Sequence, residues 1–401
     1  MQKPIKLLTA LAMPAILMAS ACSDMHDDLP DCPYGLYVRF AYDYNTHRAN
    51  LMHDHVGHLR LYVYDESGKM VAQRLVSNSS SQSPLADHGF QIYFPNDELP
   101  AGHSYRLQAV ALQRHWDDAI ADKGAKYRLS EISDPQSLMV ALDHQAANEP
   151  LACGHHIVDY SQPLDTLWHT MKVTATEPLA ERSDPGLHPT KAPYSIYPID
   201  AQMVKVEKDR YTYATVSLMR DTKHLDITLR QLNDPAAIQA DDYTVEIIDD
   251  NTLLDGHNEI VADGTVHYRP YAAWTSRFNQ DGTVSVESGL TTRSDDEPLQ
   301  RTAHYNVMFN RTMMPAEAGN GAKLQITEKA TGRPVADISL PHILSEGRKA
   351  YDIYRYGEQE YLDREYDYHL DFILQNGEWK SVYINVLSWS HRIDNVVLGG
   401  K

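Results

Sequence analysis

Cysteine is scarce in this chain, with three among 401 residues: Cys22, Cys32 and Cys153. Once Cys22 is otherwise engaged, one disulfide at most can close. In an oxidising compartment Cys32 and Cys153 can pair, and a loop of that length stabilises by about 2–5 kcal/mol. Two buried free thiols fit equally well, because sequence does not show whether their Cα atoms approach. Long apolar runs are also missing. The N-terminal run Leu7 to Met18 is too short to span roughly 30 Å of hydrocarbon, and Pro14 interrupts it. Positive charge is in deficit, with 36 Lys and Arg against 55 Asp and Glu, giving a net charge of −19. That balance argues against nucleic acid and against electrostatic attachment to anionic lipid. No nucleophile elbow, glycine-rich phosphate loop or zinc-protease helix occurs.

The N-terminus carries a targeting signal. Lys3 and Lys6 form a positive region, Leu7 to Met18 an apolar one, and Ala19, Ser20 and Ala21 are the small residues before a cleavage site. Cys22 follows at once, so the segment resembles a bacterial lipoprotein signal, in which cleavage leaves an acylated cysteine at the new N-terminus. Ala19 stands where that pattern prefers leucine, with Leu17 and Met18 just upstream. One acyl chain binds a membrane with an association constant of only about 10⁴ M⁻¹, whereas several anchor it stably. The alternative is a secreted protein cleaved elsewhere, with Cys22 buried. Removal of residues 1–21 takes two lysines and leaves a mature chain near −21. Asp24, Asp27, Asp28 and Asp31 then make residues 22–32 an acidic tether, either a surface-export tag or a solvated linker.

Beyond the tether the dominant signal is alternation, which means strands. Leu36, Val38, Phe40, Tyr42 and Tyr44 share one face, and Leu59, Leu61 and Val63 repeat the pattern. Asp65-Glu66-Ser67-Gly68 then turns the chain into a return strand near Met70 to Leu75, with glycine where a hairpin needs positive φ. Leu107, Ala109 and Ala111 follow the turn Pro100-Ala101-Gly102. Ser130 to Leu142 is a helix candidate, capped by Ser130 and spoiled by Pro135. Pro178, Pro185, Gly186, Pro189 and Pro193 mark a loop or insertion. Further strands are expected at Tyr211 to Val216, Leu225 to Leu229, Tyr243 to Ile248, His304 to Phe309, Leu324 to Thr327, Tyr368 to Leu374 and Val382 to Trp389. This reads as an all-β chain of two tandem β-sandwich domains, 33–212 and 213–401.

Candidate chemistry is thin. His53, His55 and His58 are the best metal candidates, with His53 and His55 able to share a strand face, but no second shell of ligands is visible. His155-His156 would point to opposite faces of a strand. Asp249-Asp250 and Asp295-Asp296 sit in turn-like contexts, where aspartate caps backbone groups. The 25 tyrosines could build a sugar-stacking platform, yet most follow the strand alternation. Neither cofactor nor catalytic centre is expected.

These pieces together resemble FimB-type (minor-fimbria) anchor subunits of the type V pili of Gram-negative anaerobes. The resemblance spans Asp28 to about Leu398. It rests on DDLPDCP (Asp27 to Pro33), LYVRFAYDYN (Leu36 to Asn45), HLRLYVYDESGKMV (His58 to Val71) and LPAGHSYRLQAVAL (Leu99 to Leu112). VSLMRDTKHLDITLRQL (Val216 to Leu232), DYTVEIIDDN (Asp242 to Asn251), YLDREYDYHLDFIL (Tyr361 to Leu374) and VYINVLSW (Val382 to Trp389) continue it. The resemblance implies two transthyretin-like β-sandwiches without catalysis, held by acylated Cys22 in the outer membrane at the pilus base. It further implies that the protein binds fimbrial stalk subunits and limits fibre length. Stalk subunits lose their first strand to a protease; an anchor would keep its own, about Leu36 to Tyr44. Arg39 and Arg60 lie in strand patterns and are expected to be protected. The run Val382 to Leu398 is either a contact for the next subunit or an ordinary core strand. The competing function is a surface lipoprotein that captures glycans on exposed aromatics.

Overall fold

The computed structural model describes residues 34–114, 126–130, 138–146, 154–170, 203–287, 298–316, 321–351, 356–386 and 389–394. The described residues form an all-β protein, with only short helical turns. Among the described residues no helix is long and apolar enough to cross a membrane.

Fifteen strands build the two larger sheets. The first sheet uses β1 (Gly35–Ala41), β2 (His58–Tyr64), β3 (Met70–Ser77), β4 (Ile92–Pro95) and β5 (Ser104–Leu112). It is completed by β6 (Leu167–Thr170), β7 (Tyr211–Arg220) and the short strand Met203–Lys205, which pairs with β5. Its order is β3-β2-β5-β6-β7-β1-β4. The second sheet uses β8 (Thr222–Gln231), β9 (Ala272–Phe278), β10 (Val284–Glu287) and β11 (Gln300–Asn310). With β12 (Asp367–Gln375), β13 (Glu378–Val386) and β14 (Trp389–Asp394), its order is β10-β9-β11-β8-β12-β13-β14. Two smaller sheets pack with it, and both recruit strands from the region 127–158.

Local chemistry explains the hairpins. At the β2–β3 turn, Asp65 Oδ1 accepts the backbone N–H groups of Ser67 and Lys69, and Gly68 adopts φ +83°. An L side chain there would be strained, so glycine fixes the register that keeps Leu59, Leu61 and Val63 inward.

Two apolar clusters form the core. Leu36, Val38, Phe40, Leu59, Leu61, Val63, Phe94, Leu107, Ala109 and Trp168 belong to the first; Leu225, Ile227, Leu229, Tyr305, Phe309, Leu370 and Phe372 belong to the second. The clusters share strands. Tyr62 and Tyr64 of β2, and Val110 and Leu112 of β5, turn their other face into the second cluster. The central strands of the first sheet are therefore covered on both sides, which a simple inward–outward alternation does not anticipate. Residue 212, where the sequence suggests a domain break, falls inside β7, and the chain passes to the second sheet at Asp221.

Several expectations need correction. The helix expected over Ser130 to Leu142 gives way to a strand at its described end, Met139–Leu142, while residues 131–137 lie outside the described residues. Strands Tyr127–Leu129 and Met139–Leu142 pair antiparallel there, and Ser130 Oγ accepts the Met139 N–H at 2.8 Å, fastening strands rather than capping a helix. The first strand ends at Ala41, because Asn50 Oδ1 takes the Tyr42 N–H and Asn45 Nδ2 donates to the Tyr42 carbonyl, bending the chain away. Trp389 begins a separate edge strand, β14, which pairs back onto β13. The proline-rich stretch 177–193 lies outside the described residues.

Candidate functional site

The first strand occupies an internal slot. β1 pairs in parallel with β7 from Gly35↔Tyr211 to Ala41↔Ser217, and antiparallel with β4 from Gly35↔Pro95 to Val38↔Ile92. Leu36 and Val38 are fully buried and Phe40 is 4 % exposed. Burying three such side chains stabilises by roughly 5–9 kcal/mol as an upper bound. Without β1, the ladder groups of β4 and β7 that face it would be unpaired. Gly35 is required by close approach: a Cβ there would sit 2.3 Å from the Phe94 carbonyl oxygen and 2.8 Å from the Tyr93 ring.

The outer face of the same three strands carries tyrosine. Register places Tyr93, Tyr37 and Tyr213 in one row across β4, β1 and β7. Their ring centroids lie 4.8 Å apart for Tyr37–Tyr93 and 5.4 Å for Tyr37–Tyr213, with interplanar angles of 34° and 31°. Tyr34 packs on Tyr211 at 5.2 Å, and the Arg39 guanidinium lies 5.6 Å from the Tyr213 centroid. Tyr34, Tyr211 and Tyr213 are 47 %, 41 % and 59 % exposed. The spacing Tyr211-x-Tyr213 was visible in the sequence; that β1 and β4 bring Tyr37 and Tyr93 alongside was not, since pairing is non-local.

A charged junction joins the two sheets. Arg220, Asp221, Thr222 and Lys223 are all buried. Asp221 receives the His169 Nδ1 hydrogen at 2.7 Å and the Asn258 amide at 2.8 Å. Lys223 Nζ donates to the carbonyls of Asp363 and Glu365 at 2.9 and 2.8 Å, and burial pushes its ammonium down to about 7. Arg220 lies over the Tyr366 ring, 4.1 Å from its centroid. Its sequence signal was a run of charge, Arg220-Asp221-Thr222-Lys223, inside an alternating stretch.

The histidine candidates do not converge. His53 and His55 belong to the helical turn Met52–His55 rather than to one strand face, so their spacing of two turns them apart. His53 Nδ1 meets the Leu85 carbonyl at 2.8 Å, His55 packs edge-on to Tyr42, and buried His58 bonds Ser77 Oγ at 2.7 Å. His155 contacts His267 at 3.0 Å, while His156 packs on His144 with centroids 3.8 Å apart. Among the described residues no group of three His, Cys, Asp or Glu is placed to hold a metal ion. Asp250 Oδ1 accepts the N–H groups of Asp263 and Gly264, as a turn-capping aspartate does. Cys22, Cys32, Cys153 and the pair Asp295-Asp296 lie outside the described residues.

The C-terminal run divides into two roles. β13 is an internal strand between β12 and β14, with Val382 and Ile384 buried, whereas β14 lies at the edge of the described sheet. The opposite edge, β10, exposes Val284 and Val286 at 71 % and 64 %.

Residues 29–395 match the family model described as Mfa2, fimbrillin-A associated anchor proteins Mfa1 and Mfa2. Among solved structures, a candidate adhesin from Bacteroides thetaiotaomicron is 25 % identical with a TM-score of 0.63, covering 92 % of this chain and 100 % of that one. A candidate polysaccharide-binding protein from the same organism is 22 % identical with a TM-score of 0.62, covering 90 % and 99 %. The fimbrial anchor protein Mfa2 from Porphyromonas gingivalis is 15 % identical with a TM-score of 0.49, covering 90 % and 99 %. No curated protein matches the chain.

Proposed function

The chain belongs to the family of fimbrillin-A associated anchor proteins, and on that premise we propose that it is the lipid-held base subunit of a fimbrium. In this reading residues 1–21 are removed and Cys22 carries acyl chains in the outer membrane. Residues 22–32 are the tether, and the folded part meets the stalk subunits and limits fibre length. The role is structural rather than catalytic.

The observation that carries this reading is the seating of β1. It follows the tether directly, fills the slot between β4 and β7, and buries Leu36, Val38 and Phe40. A chain cut ahead of such a strand would lose Cys22 and the membrane together. A chain that keeps the strand has its own slot filled and must offer another surface to the fibre, with β10 and β14 as open edges among the described residues. Replacing Cys22 with serine in cells should release the protein, and fibres with it, into the medium. Fibres that remain on the surface at normal length would remove the anchor role.

A second reading, surface adhesion, is favoured by the 25 % identical neighbour described as a candidate adhesin. Binding of the purified chain to polysaccharide, abolished by Tyr213→Ser, would support it.

A further inference from the structure

We propose that the tyrosine face at the foot of the first sheet rests on the membrane surface to which the tether leads. The inference deepens the anchor reading and depends on it for its biological setting.

Chain geometry comes first. Gly35 aligns with Tyr211 and with Pro95, so the start of β1, the start of β7 and the end of β4 share one end of the sheet. Tyr34, two residues beyond the end of the tether, is itself part of the tyrosine cluster. From Cys22 to Tyr34, even fully extended chain reaches at most about 40 Å. An acylated Cys22 therefore keeps this end near the headgroups at high effective concentration, where weak contacts suffice.

Ring geometry decides between occupants. At 4.8 and 5.4 Å between centroids, with tilts near 30°, Tyr93, Tyr37 and Tyr213 stand side by side and cover one another's faces. A pyranose stacks on an open ring face, and Arg39 already lies by the outermost ring, Tyr213. Tyr34, Tyr211 and Tyr213 keep 47 %, 41 % and 59 % of their surface exposed, each an apolar body with a polar end. That is the combination tyrosine brings to the boundary between hydrocarbon and water.

The test attaches the mature chain without relying on acylation. A hexahistidine tag replaces Cys22, and the protein is held on phosphatidylcholine vesicles containing a nickel-chelating lipid, with or without a headgroup-nitroxide lipid. Tryptophan is introduced as Tyr213→Trp or, in a second protein, as Val286→Trp; both sites are exposed, so neither change threatens folding. The nitroxide should abolish most of the fluorescence added by Tyr213→Trp and little of that added by Val286→Trp. Equal or negligible quenching at both sites would overturn the proposal and assign the face to a protein or glycan. Because attachment is chemical, that failure is separate from failure of the anchor reading, which would appear as absence of acyl chains on Cys22 in protein taken from cells.

Discussion

His169 Nδ1 lies 2.7 Å from Asp221 Oδ2, with neither side chain more than 1 % exposed. The contact joins β6 to the residue at which the chain leaves the first sheet for the second. Asn258 from the second core meets the other carboxylate oxygen, and the Asp221 N–H donates to the Leu167 carbonyl. A single aspartate thus ties both cores together. Asp221→Ala would leave buried donors on His169 and Asn258 without an acceptor. It should destabilise the fold by about 3–5 kcal/mol, whereas Asp221→Asn, which keeps one acceptor, should cost less. Urea unfolding of the three proteins measures the order.

The fit of β1 can be loosened at one atom. Gly35→Val would drive a Cβ into the Phe94 carbonyl and the Tyr93 ring, costing on the order of 1–3 kcal/mol. Hydrogen exchange should speed up at the β1 amides of residues 36–40 and stay unchanged at Leu225 to Leu229 of β8. Uniform acceleration would mean that β1 is not a separable element.

Pairing on both sides should also shield the first strand from protease. Arg39 is exposed as a side chain, but its backbone pairs with Thr215 of β7 one residue beyond the last β4 partner, Val38, and Arg60 lies in β2 between β3 and β5. Limited trypsin digestion of the native chain should leave both bonds intact under conditions that cut loops. Cleavage after Arg39 would show that the strand leaves its slot.

Alkaline stability depends on Lys223. Burial lowers its ammonium to about 7 in the fold, while an unfolded lysine titrates near 10.4. Between those values the unfolded chain holds a proton that the folded one has shed, so stability should rise from pH 7 to about 9.5. Lys223→Met should flatten that slope. Above pH 10 the trend reverses, because burial raises Tyr127, Tyr268 and Tyr368, and the unfolded chain ionises first.

Asp165 has the opposite sign. Burial pushes its carboxyl up to about 6, so the folded chain keeps a proton that the unfolded chain loses near pH 4. Stability contributed by this group should fall as pH rises from 4 to 6. Asp165→Asn should raise stability at pH 7 by on the order of 1–3 kcal/mol, read as a higher melting temperature.

Much of the strand framework was legible in the sequence because alternation is local. Leu36, Val38 and Phe40 announced β1, and Gly68 announced the β2–β3 turn. What failed was what non-local contacts decide. Ser130 and Pro135 carry helix punctuation, yet Ser130 spends its hydroxyl on Met139 across a strand pair. His53 and His55 have strand spacing but sit on a helical turn held against Leu85. Tyr62 and Tyr64 alternate with Leu61 and Val63, and only the fold shows that a second core covers them. The tyrosine row required the pairing of residues 37, 93 and 213, which no window of sequence contains.

The central claim is that one unbroken chain runs from a lipid-bearing Cys22 into a seated first strand. Mass spectrometry of the N-terminal peptide of the protein from outer-membrane preparations tests it most directly. The account predicts a peptide that begins at acylated Cys22 and continues uncut through Ala41. A free Cys22 thiol, or an N-terminus created downstream of Arg39, would contradict it.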